Sequence, residues 1–407
     1  MRRLFTTFLM LALCAASARA GDLNGAFRRW LAHDLWPAAH GAGISREVFN
    51  RAFSGVRVNP KLPDLILPGQ SRIPKRQRQT EFGAPARYFN ERSLAALAER
   101  GRALLGRHKR LFARIAARYG VPGRIILGIW ARESNYGAAR IPYNAFAILG
   151  TQAFLGRRRE LFRRELLAAL TIVQKGHAPA KALKASWAGA LGQPQMMPSF
   201  YLKYAVDFDG DGRRDIWRSV PDIAASIASH LAAHGWKRGL DWGFEVTVPA
   251  SVSCALEGPD QGKSFARWAA MGVRRAGGRP FPKGYARRKG YLLMPAGRFG
   301  PAFIVTDNFY VLKAYNMSDL YALFVGHLGD RIRWNARPFR TAWGDVGHLL
   351  RSDVAAMQRR LEALGYDVGG ADGLPGFKTR RSIGRWQAAR GLKPRCFPTK
   401  RLKALLK

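Results

Sequence analysis

Val121-Pro122-Gly123-Arg124-Ile125-Ile126-Leu127-Gly128-Ile129-Trp130-Ala131-Arg132-Glu133-Ser134-Asn135-Tyr136-Gly137 is the stretch on which the fold turns. Pro122 stands where a helix starts, because a missing amide costs least in the first turn. Ile126, Ile129, Trp130 and Glu133 then share one face, and Ser134-Asn135-Tyr136-Gly137 ends the helix with turn formers. A carboxylate therefore closes an apolar stripe at the mouth of a loop. If the stripe is buried, desolvation raises the pKa of Glu133 and lets it hold a proton near neutral pH, as a general acid must. The plainer alternative is a Glu that reaches into water or pairs with Arg132 or Arg140.

Upstream the helical period continues. Ser93 fits an N-cap for a long helix whose apolar positions Leu94, Leu97, Leu104, Leu111, Phe112, Ile115 and Tyr119 follow one face, and Gly120 stops it. Before it, residues 55–87 are rich in Pro and basic residues with little periodicity, which reads as an extended arm laid over a folded body. Downstream, Glu160 to Gln174 is another helical run. It leads to Ser186-Trp187-Ala188-Gly189-Ala190-Leu191-Gly192-Gln193-Pro194-Gln195-Met196-Met197-Pro198-Ser199, where two glycines allow close backbone approach to a ligand. Gln193 and Gln195 offer donors and acceptors for a neutral sugar or amide, although such a turn alone is as well explained by packing.

Asp207-Phe208-Asp209-Gly210-Asp211-Gly212-Arg213-Arg214-Asp215 puts carboxylates at loop positions 1, 3, 5 and 9 and Gly at 6, the spacing of an EF-hand-like calcium loop. The carbonyl of Arg213, at position 7, would add an oxygen. Position 12 is Arg218 where a bidentate Glu is expected, so Asp222 would have to complete the set from a longer loop. A structural Ca2+ or other cation is expected here, stabilising the fold by linkage, and no cofactor is expected for the chemistry itself. A solvated acidic turn is the alternative. His230 and His234 have a spacing that can bind zinc, but no third ligand is evident, so structural histidines are expected. The sequence shows no convincing nucleophilic Ser or Cys elbow and no Gly-rich phosphate loop.

Composition bounds the partners. The 407 residues include 68 Lys or Arg against 27 Asp or Glu, for a formal charge of +41, while 47% apolar residues supply ample core for two or three domains. Such a field attracts polyanions: nucleic acid, anionic lipid or a carboxylate-bearing wall polymer. Arg2 and Arg3, the apolar run from Leu4 to Ala16, and Ala18-Arg19-Ala20 before Gly21 read as a secretory signal over residues 1–20. The mature protein is then exported and soluble, and a nucleic-acid partner is not expected. A lipoprotein acylated at Cys14 is the alternative, disfavoured by Leu13 where a small residue is wanted. No later segment approaches the roughly 20 apolar residues of a transmembrane helix. Cleavage leaves Cys254 and Cys396, far apart in sequence, for which two unpaired thiols are the plainer reading and a single bridge the alternative.

Taken together, these motifs over residues 80–335 resemble the B-type lytic murein transglycosylase family. The resemblance rests on Ile129 to Gly137, Gly189 to Ser199, Asp207 to Trp217, His234-Gly235-Trp236, and Asn308-Phe309 with Tyr315-Asn316-Met317-Ser318-Asp319-Leu320-Tyr321-Ala322. It implies a mainly α (α+β) fold, with a lysozyme-like catalytic core over 21–335 and a small β-rich portion to which Phe244–Val248 and Ala302–Val305 could contribute strands. It also implies a mechanism in which one Glu, here Glu133, protonates the oxygen between N-acetylmuramic acid and N-acetylglucosamine. The same carboxylate then takes the proton of the muramoyl 6-hydroxyl as that group attacks C1, giving a 1,6-anhydro product without water. No partner carboxylate is obvious near Glu133. Tyr88, Ser186, Gln195, Tyr315, Asn316 and Tyr321 carry over as substrate-binding positions. The chain departs from the family at His230, where a Tyr is usual, and at Phe200, where a second Ser is common.

After a linker between Arg333 and Gly347, Val354, Met357, Leu361 and Leu364 form a stripe before Gly365-Tyr366, and Asp372-Gly373-Leu374-Pro375-Gly376-Phe377-Lys378-Thr379-Arg380 leads into Ile383, Trp386 and Gln387. This resembles the small three-helix peptidoglycan-binding module, over 348–407. Asp372-Gly373 closes a tight turn and Thr379 lies near a helix start. The whole then reads as a periplasmic, monomeric lytic transglycosylase whose partner is the glycan strand of peptidoglycan. A hydrolytic muramidase and a non-catalytic wall-binding protein are the alternatives.

Overall fold

The computed structural model describes residues 23–67, 85–347 and 349–406. The expected signal sequence with Cys14, and residues 68–84 of the expected arm, lie outside the described residues. No helix among the described residues is long and apolar enough to cross a membrane. The fold is mainly helical with a small antiparallel sheet, as the resemblance implies. The chain divides into two compact units, one built from residues up to 72 and from 130–229, the other from 73–129 and 230–407.

In the first unit the Ala145–Leu155 helix is the core element. It is apolar nearly all round, and Ala145, Phe146, Ile148, Leu149, Ala153 and Leu155 are buried. Asn144 caps it, its Oδ1 accepting from the amides of Phe146 and Ala147 at 2.8 and 3.2 Å. The Arg46–Phe53 and Arg159–Gln174 helices contribute Val48, Phe49, Phe162, Leu166 and Leu170 to the same core. The described end of the expected arm is pinned where the Ile66 amide donates to Leu155 O at 2.7 Å and the Arg157 amide to Asp64 O at 3.0 Å.

In the second unit the expected long helix is two. Asn90, not Ser93, is the N-cap: its Oδ1 accepts from the Ser93 amide, and helix Glu91–Arg107 follows. A break at His108 then separates it from Lys109–Tyr119, which Gly120 ends in the left-handed conformation. The buried Asp319–Trp334 helix is central, and Gly128 packs against Val325 so closely that a Cβ there would meet its carbonyl. Five antiparallel strands in the order Lys263–Ser264, Lys289–Leu293, Ala302–Val305, Gly243–Thr247, Arg274–Arg275 form the sheet, with Gly243 opposite Val305 and Tyr291 opposite the same residue. Both strands expected from sequence are present, one residue offset at Phe244–Val248.

The last three helices, Arg351–Ala363, Phe377–Ala388 and Lys400–Leu405, enclose a small core of Val354, Met357, Leu361, Ile383, Trp386 and Leu402. Leu364 departs from the expected stripe, standing 38% exposed beyond the helix end. Cys254 and Cys396 are joined in a disulfide, which corrects the expectation of two thiols. The linker is laid down on the unit: Glu245 accepts from the amides of Arg340 and Thr341, and Phe339 packs 4.0 Å from the His327 ring.

His327 is 4% exposed, and its Nε2 accepts from Arg331 Nε at 2.9 Å. Burial, and then the Arg331 charge, lower its pKa to about 3. The folded protein holds this ring neutral while the unfolded chain takes up a proton near pH 6.5, so its contribution is present above 6.5 and is lost as pH falls toward 3. Stability attributable to His327 should fall by about 1.4 kcal/mol per pH unit over this window. The difference in unfolding free energy between wild type and His327→Asn, measured from pH 6.5 to 5, should shrink accordingly; a constant difference would contradict a neutral His327.

Candidate active site

Glu133 is the penultimate residue of helix Gly123–Ser134, one residue shorter at its start than Pro122 would make it. From Ile125 to Ile129 the aliphatic side chains are wholly buried, whereas Glu133 is half-buried. Asn135, Tyr136 and Gly137 all take positive φ (52°, 56° and 83°), so the chain reverses within three residues of the helix end. Ser134, 1% exposed, holds that reversal: its Oγ accepts from the Gly137 amide at 3.2 Å and its carbonyl from the Ala139 amide at 2.9 Å. The carboxyl thus stands at the rim of a fixed turn, the position read from sequence.

The Gly/Gln segment is brought to this helix by Gln193. Its Oε1 accepts from Trp130 Nε1 at 2.8 Å, its Nε2 donates to Trp217 O at 2.6 Å, and its amide donates to Ile216 O at 2.9 Å. Gln193 therefore has a structural role, which sequence could not show because its partners lie 63 and 24 residues away. Residues 192–195 form a turn closed by paired hydrogen bonds between Leu191 and Met196 at 2.7 and 3.1 Å. Gln195 sits in that turn at φ 54°, half-buried, with Nε2 donating to Gly192 O at 2.9 Å. Ser186 is half-buried just before, its backbone closing a turn with Gly189 and Ala190. Glu165, unnoticed in sequence, grips the start of the Pro198–Tyr204 helix by accepting from the Ser199 amide and Oγ at 2.9 and 2.8 Å. Phe200 is exposed.

The other substrate-binding positions belong to the second unit. Tyr88 is half-buried in a 3-10 turn, edge-on to Phe324 at 6.1 Å. Tyr315 is half-buried, and its ring stacks with His230 at 4.6 Å and with Tyr321 at 6.5 Å, 8° from parallel. Asn316 is exposed and accepts from the Ser318 amide at 3.1 Å. Tyr321, the remaining expected substrate-binding position, is 2% exposed, with its ring parallel to that of Tyr315. The His230 and His234 rings pack with centroids 4.4 Å apart and planes tilted by 48°, and His234 Nδ1 lies 2.8 Å from His230 O.

In the acidic loop, Asp207, Asp209 and Asp211 each bring a carboxylate oxygen within 4.8 Å of the others. Asp207 accepts from the amides of Gly210 and Gly212, the latter at φ 84° where only a residue without Cβ turns freely. Asp215 and Asp222 lie outside this group. Asp215 accepts from the amides of Trp217 and Arg218, while Asp222 is fully buried and accepts from Phe208 and Asp215 at 2.8 and 2.7 Å, tying both ends of the loop to its helix. Arg213 is exposed, its amide donating to Asp211 at 2.8 Å. None of Asp207, Asp209 and Asp211 forms an ion pair with a Lys or Arg among the described residues. Three like charges so converged fit a hard divalent cation with oxygen ligands.

Residues 26–330 match the family described as transglycosylase SLT domain. The chain belongs to that family. Residues 351–394 match a second family, described as putative peptidoglycan binding domain. SltB3 from Pseudomonas aeruginosa, solved in complex with NAG-NAM-pentapeptide, is 38% identical and superposes with a TM-score of 0.84 over 94% of this chain and 99% of that one. The same protein solved with NAG-anhNAM-pentapeptide gives a TM-score of 0.82 at 38% identity, over 93% of this chain and 99% of that one. Slt35 of Escherichia coli, solved in complex with calcium, is 29% identical with a TM-score of 0.52 over 62% of this chain and 80% of that one. Among curated proteins, membrane-bound lytic murein transglycosylase B of Escherichia coli K12 is 34% identical over 217 residues. That match takes in 53% of this chain and 58% of the relative, so the chain spans little more than half the relative's length.

Replacing Gln193 by Leu would leave Trp130 Nε1 and the Trp217 carbonyl without their partner. The variant should lose about 1 to 3 kcal/mol of stability in denaturant unfolding; an unchanged midpoint would show that the turn is held by other means.

Proposed function

We propose that the protein is a lytic transglycosylase that cleaves the MurNAc-GlcNAc β-1,4 bond of peptidoglycan to 1,6-anhydromuramoyl products, with Glu133 as its single acid and base. The observation that carries this reading is a half-buried carboxyl held at the end of an otherwise buried helix by a left-handed turn, in a chain of the transglycosylase family. The solved relative with a NAG-anhNAM-pentapeptide supports the product.

In the proposed reaction Glu133 gives its proton to the glycosidic oxygen as the C1–O bond breaks, and the GlcNAc hydroxyl leaves. The muramoyl 6-hydroxyl forms the new bond to C1 and passes its proton to the Glu133 carboxylate, which restores the acid. Atoms and protons balance without water, so the second carboxylate that activates water or forms a covalent intermediate in ordinary glycosidases has no task. Ser186 and the amide of Gln195 would bind polar groups of the sugars, Tyr88, Tyr315 and Asn316 would contact the strand, and Tyr321 would act by supporting Tyr315.

The proposed organisation is a signal sequence over 1–20, a catalytic domain over 21–335 and a wall-binding domain over 348–407. The protein would work in the periplasm as a soluble monomer on glycan strands, whose peptide carboxylates suit its positive charge. Asp207, Asp209 and Asp211 would hold a structural Ca2+, with Arg213 offering its carbonyl and Asp215 and Asp222 shaping the loop. Its charge would let the three carboxylates stay together, and it takes no part in bond cleavage.

Mature protein incubated with purified peptidoglycan should release borohydride-resistant muropeptides one water lighter than hydrolysis products, and Glu133→Gln should release at least a hundred-fold less. Reducible muramoyl ends would make it a hydrolase, and binding without release would leave a wall-binding protein. Adding 10 mM Ca2+ to chelator-treated protein should stabilise it by about 1 to 3 kcal/mol in thermal unfolding. Asp209→Asn should abolish that shift, and a wild type indifferent to Ca2+ would remove the metal from the account.

A further inference from the structure

The C-terminal domain is docked through charge and covalent linkage. Arg380, on helix Phe377–Ala388, is 3% exposed, and its guanidinium makes four hydrogen bonds. Nε and Nη2 donate to the two oxygens of Glu257 at 3.0 and 2.6 Å, Nη1 donates to Pro375 O at 2.7 Å, and Nη2 also reaches Asp319 Oδ2 at 2.9 Å. Glu257 is wholly buried and also accepts from the Met294 amide at 2.9 Å. Beside it, Arg381 pairs with Asp260 at 2.5 Å and donates to the Glu257 carbonyl. The Cys254–Cys396 disulfide closes the same junction, and Gly384 makes room for it, since a Cβ there would overlap Cys396 Sγ.

Asp319 opens the helix that carries Tyr321. Its other oxygen accepts from Lys313 Nζ at 2.7 Å, so the Tyr315–Ser318 loop is stapled at its base by Lys313 and Asp319. Ser318 caps the helix by accepting from the Tyr321 amide at 3.1 Å, and Tyr321 supports the Tyr315 ring. Arg380 is the point at which the C-terminal domain holds this staple. One guanidinium thus bridges the buried Glu257 carboxylate and the half-buried Asp319 carboxylate; without it, Glu257 would be left buried without a counter-charge and Asp319 with Lys313 alone.

We propose that Arg380 is a positioning residue for glycan binding, through which the C-terminal domain sets the place of the Tyr315–Tyr321 segment instead of serving only as a wall tether. This rests on the transglycosylase reading above. A tether raises the local concentration of a polymer and does nothing for a glycan too short to reach it. A positioning domain changes the affinity for short glycans as well.

The test uses the full mature chain and a soluble tetrasaccharide of two GlcNAc-MurNAc units. Glu257→Gln with Arg380→Met removes the buried pair as a pair, keeps an acceptor for the Met294 amide, and leaves Asp319 with Lys313 alone. Where its melting remains cooperative, amide hydrogen exchange over 315–322 should be at least ten-fold faster than in wild type. KM for the tetrasaccharide should rise at least ten-fold, with kcat within three-fold. Arg380→Lys, which keeps the charge but not the fork, should lie between. A folded double variant with wild-type exchange over 315–322 and wild-type KM overturns the proposal. If the double variant does not fold, Arg380→Lys decides by the same two readouts. Should wild type release no product from any glycan, the transglycosylase reading falls, while the exchange rates still decide whether Arg380 positions the segment.

Discussion

A proton-shuttling carboxyl has to satisfy two opposed demands: enough burial to hold a proton and enough access to reach a substrate. For the proposed acid Glu133, the Gly123–Ser134 helix would meet both by ending abruptly. Its early turns are sealed among apolar side chains, and the left-handed run from Asn135 to Gly137 stops it one residue after Glu133. Consecutive non-Gly residues in that region are costly, and Ser134, with the Trp130–Gln193 hydrogen bond a turn earlier, supplies the contacts that hold them. Much of the first unit serves that end. Gln193 joins helix to turn, Trp217 and Ile216 receive its other donors, and Asp222 fixes the loop from which Trp217 comes.

What could be read in the sequence was what depends on neighbours in the chain. The Glu160–Gln174 run differs from the observed helix by one residue, Gly120 ends its helix, and the position of Glu133 follows from period and turn chemistry. Ser93 misled because Asn90, three residues earlier, is an equally good cap. The choice is supported from afar, since Glu91 at the new helix start pairs with Arg331 at 2.7 Å. Gln193, the disulfide across 142 residues and the burial of Tyr321 were likewise beyond local reading, because each is decided by a partner the period does not reveal.

The acids of this basic chain are placed selectively. The 27 carboxylates are outnumbered by 68 cations, and the acids differ in what they are paired with. Glu257, Asp319, Asp241 and Asp330 do have arginine partners, and Arg124 spans the last two at 2.9 and 2.7 Å. Asp330 is nonetheless pushed up to about 7, burial outweighing the Arg124 charge. In the Asp207–Asp211 cluster three carboxylates converge within 4.8 Å of one another, and none of them forms an ion pair with a Lys or Arg among the described residues. Its oxygens are instead oriented by loop amides, which fix the carboxylates without neutralising them. That contrast gives the proposed cation its physical basis.

The same selectivity bears on why the C-terminal domain is bound as it is. A domain whose sole task was to find the wall would do better on a free linker, which widens the volume it searches. Here the linker backbone is held by Glu245, the disulfide removes the remaining freedom, and the junction contains a fully buried ion pair. Buried pairs add little net stability over apolar packing, because desolvating both charges offsets most of their attraction. What such a pair does impose is geometry: a guanidinium shared by two carboxylates has few arrangements that satisfy all its donors. Fixing one of those carboxylates at the first residue of the Asp319–Trp334 helix makes the position of that helix start depend on the C-terminal domain.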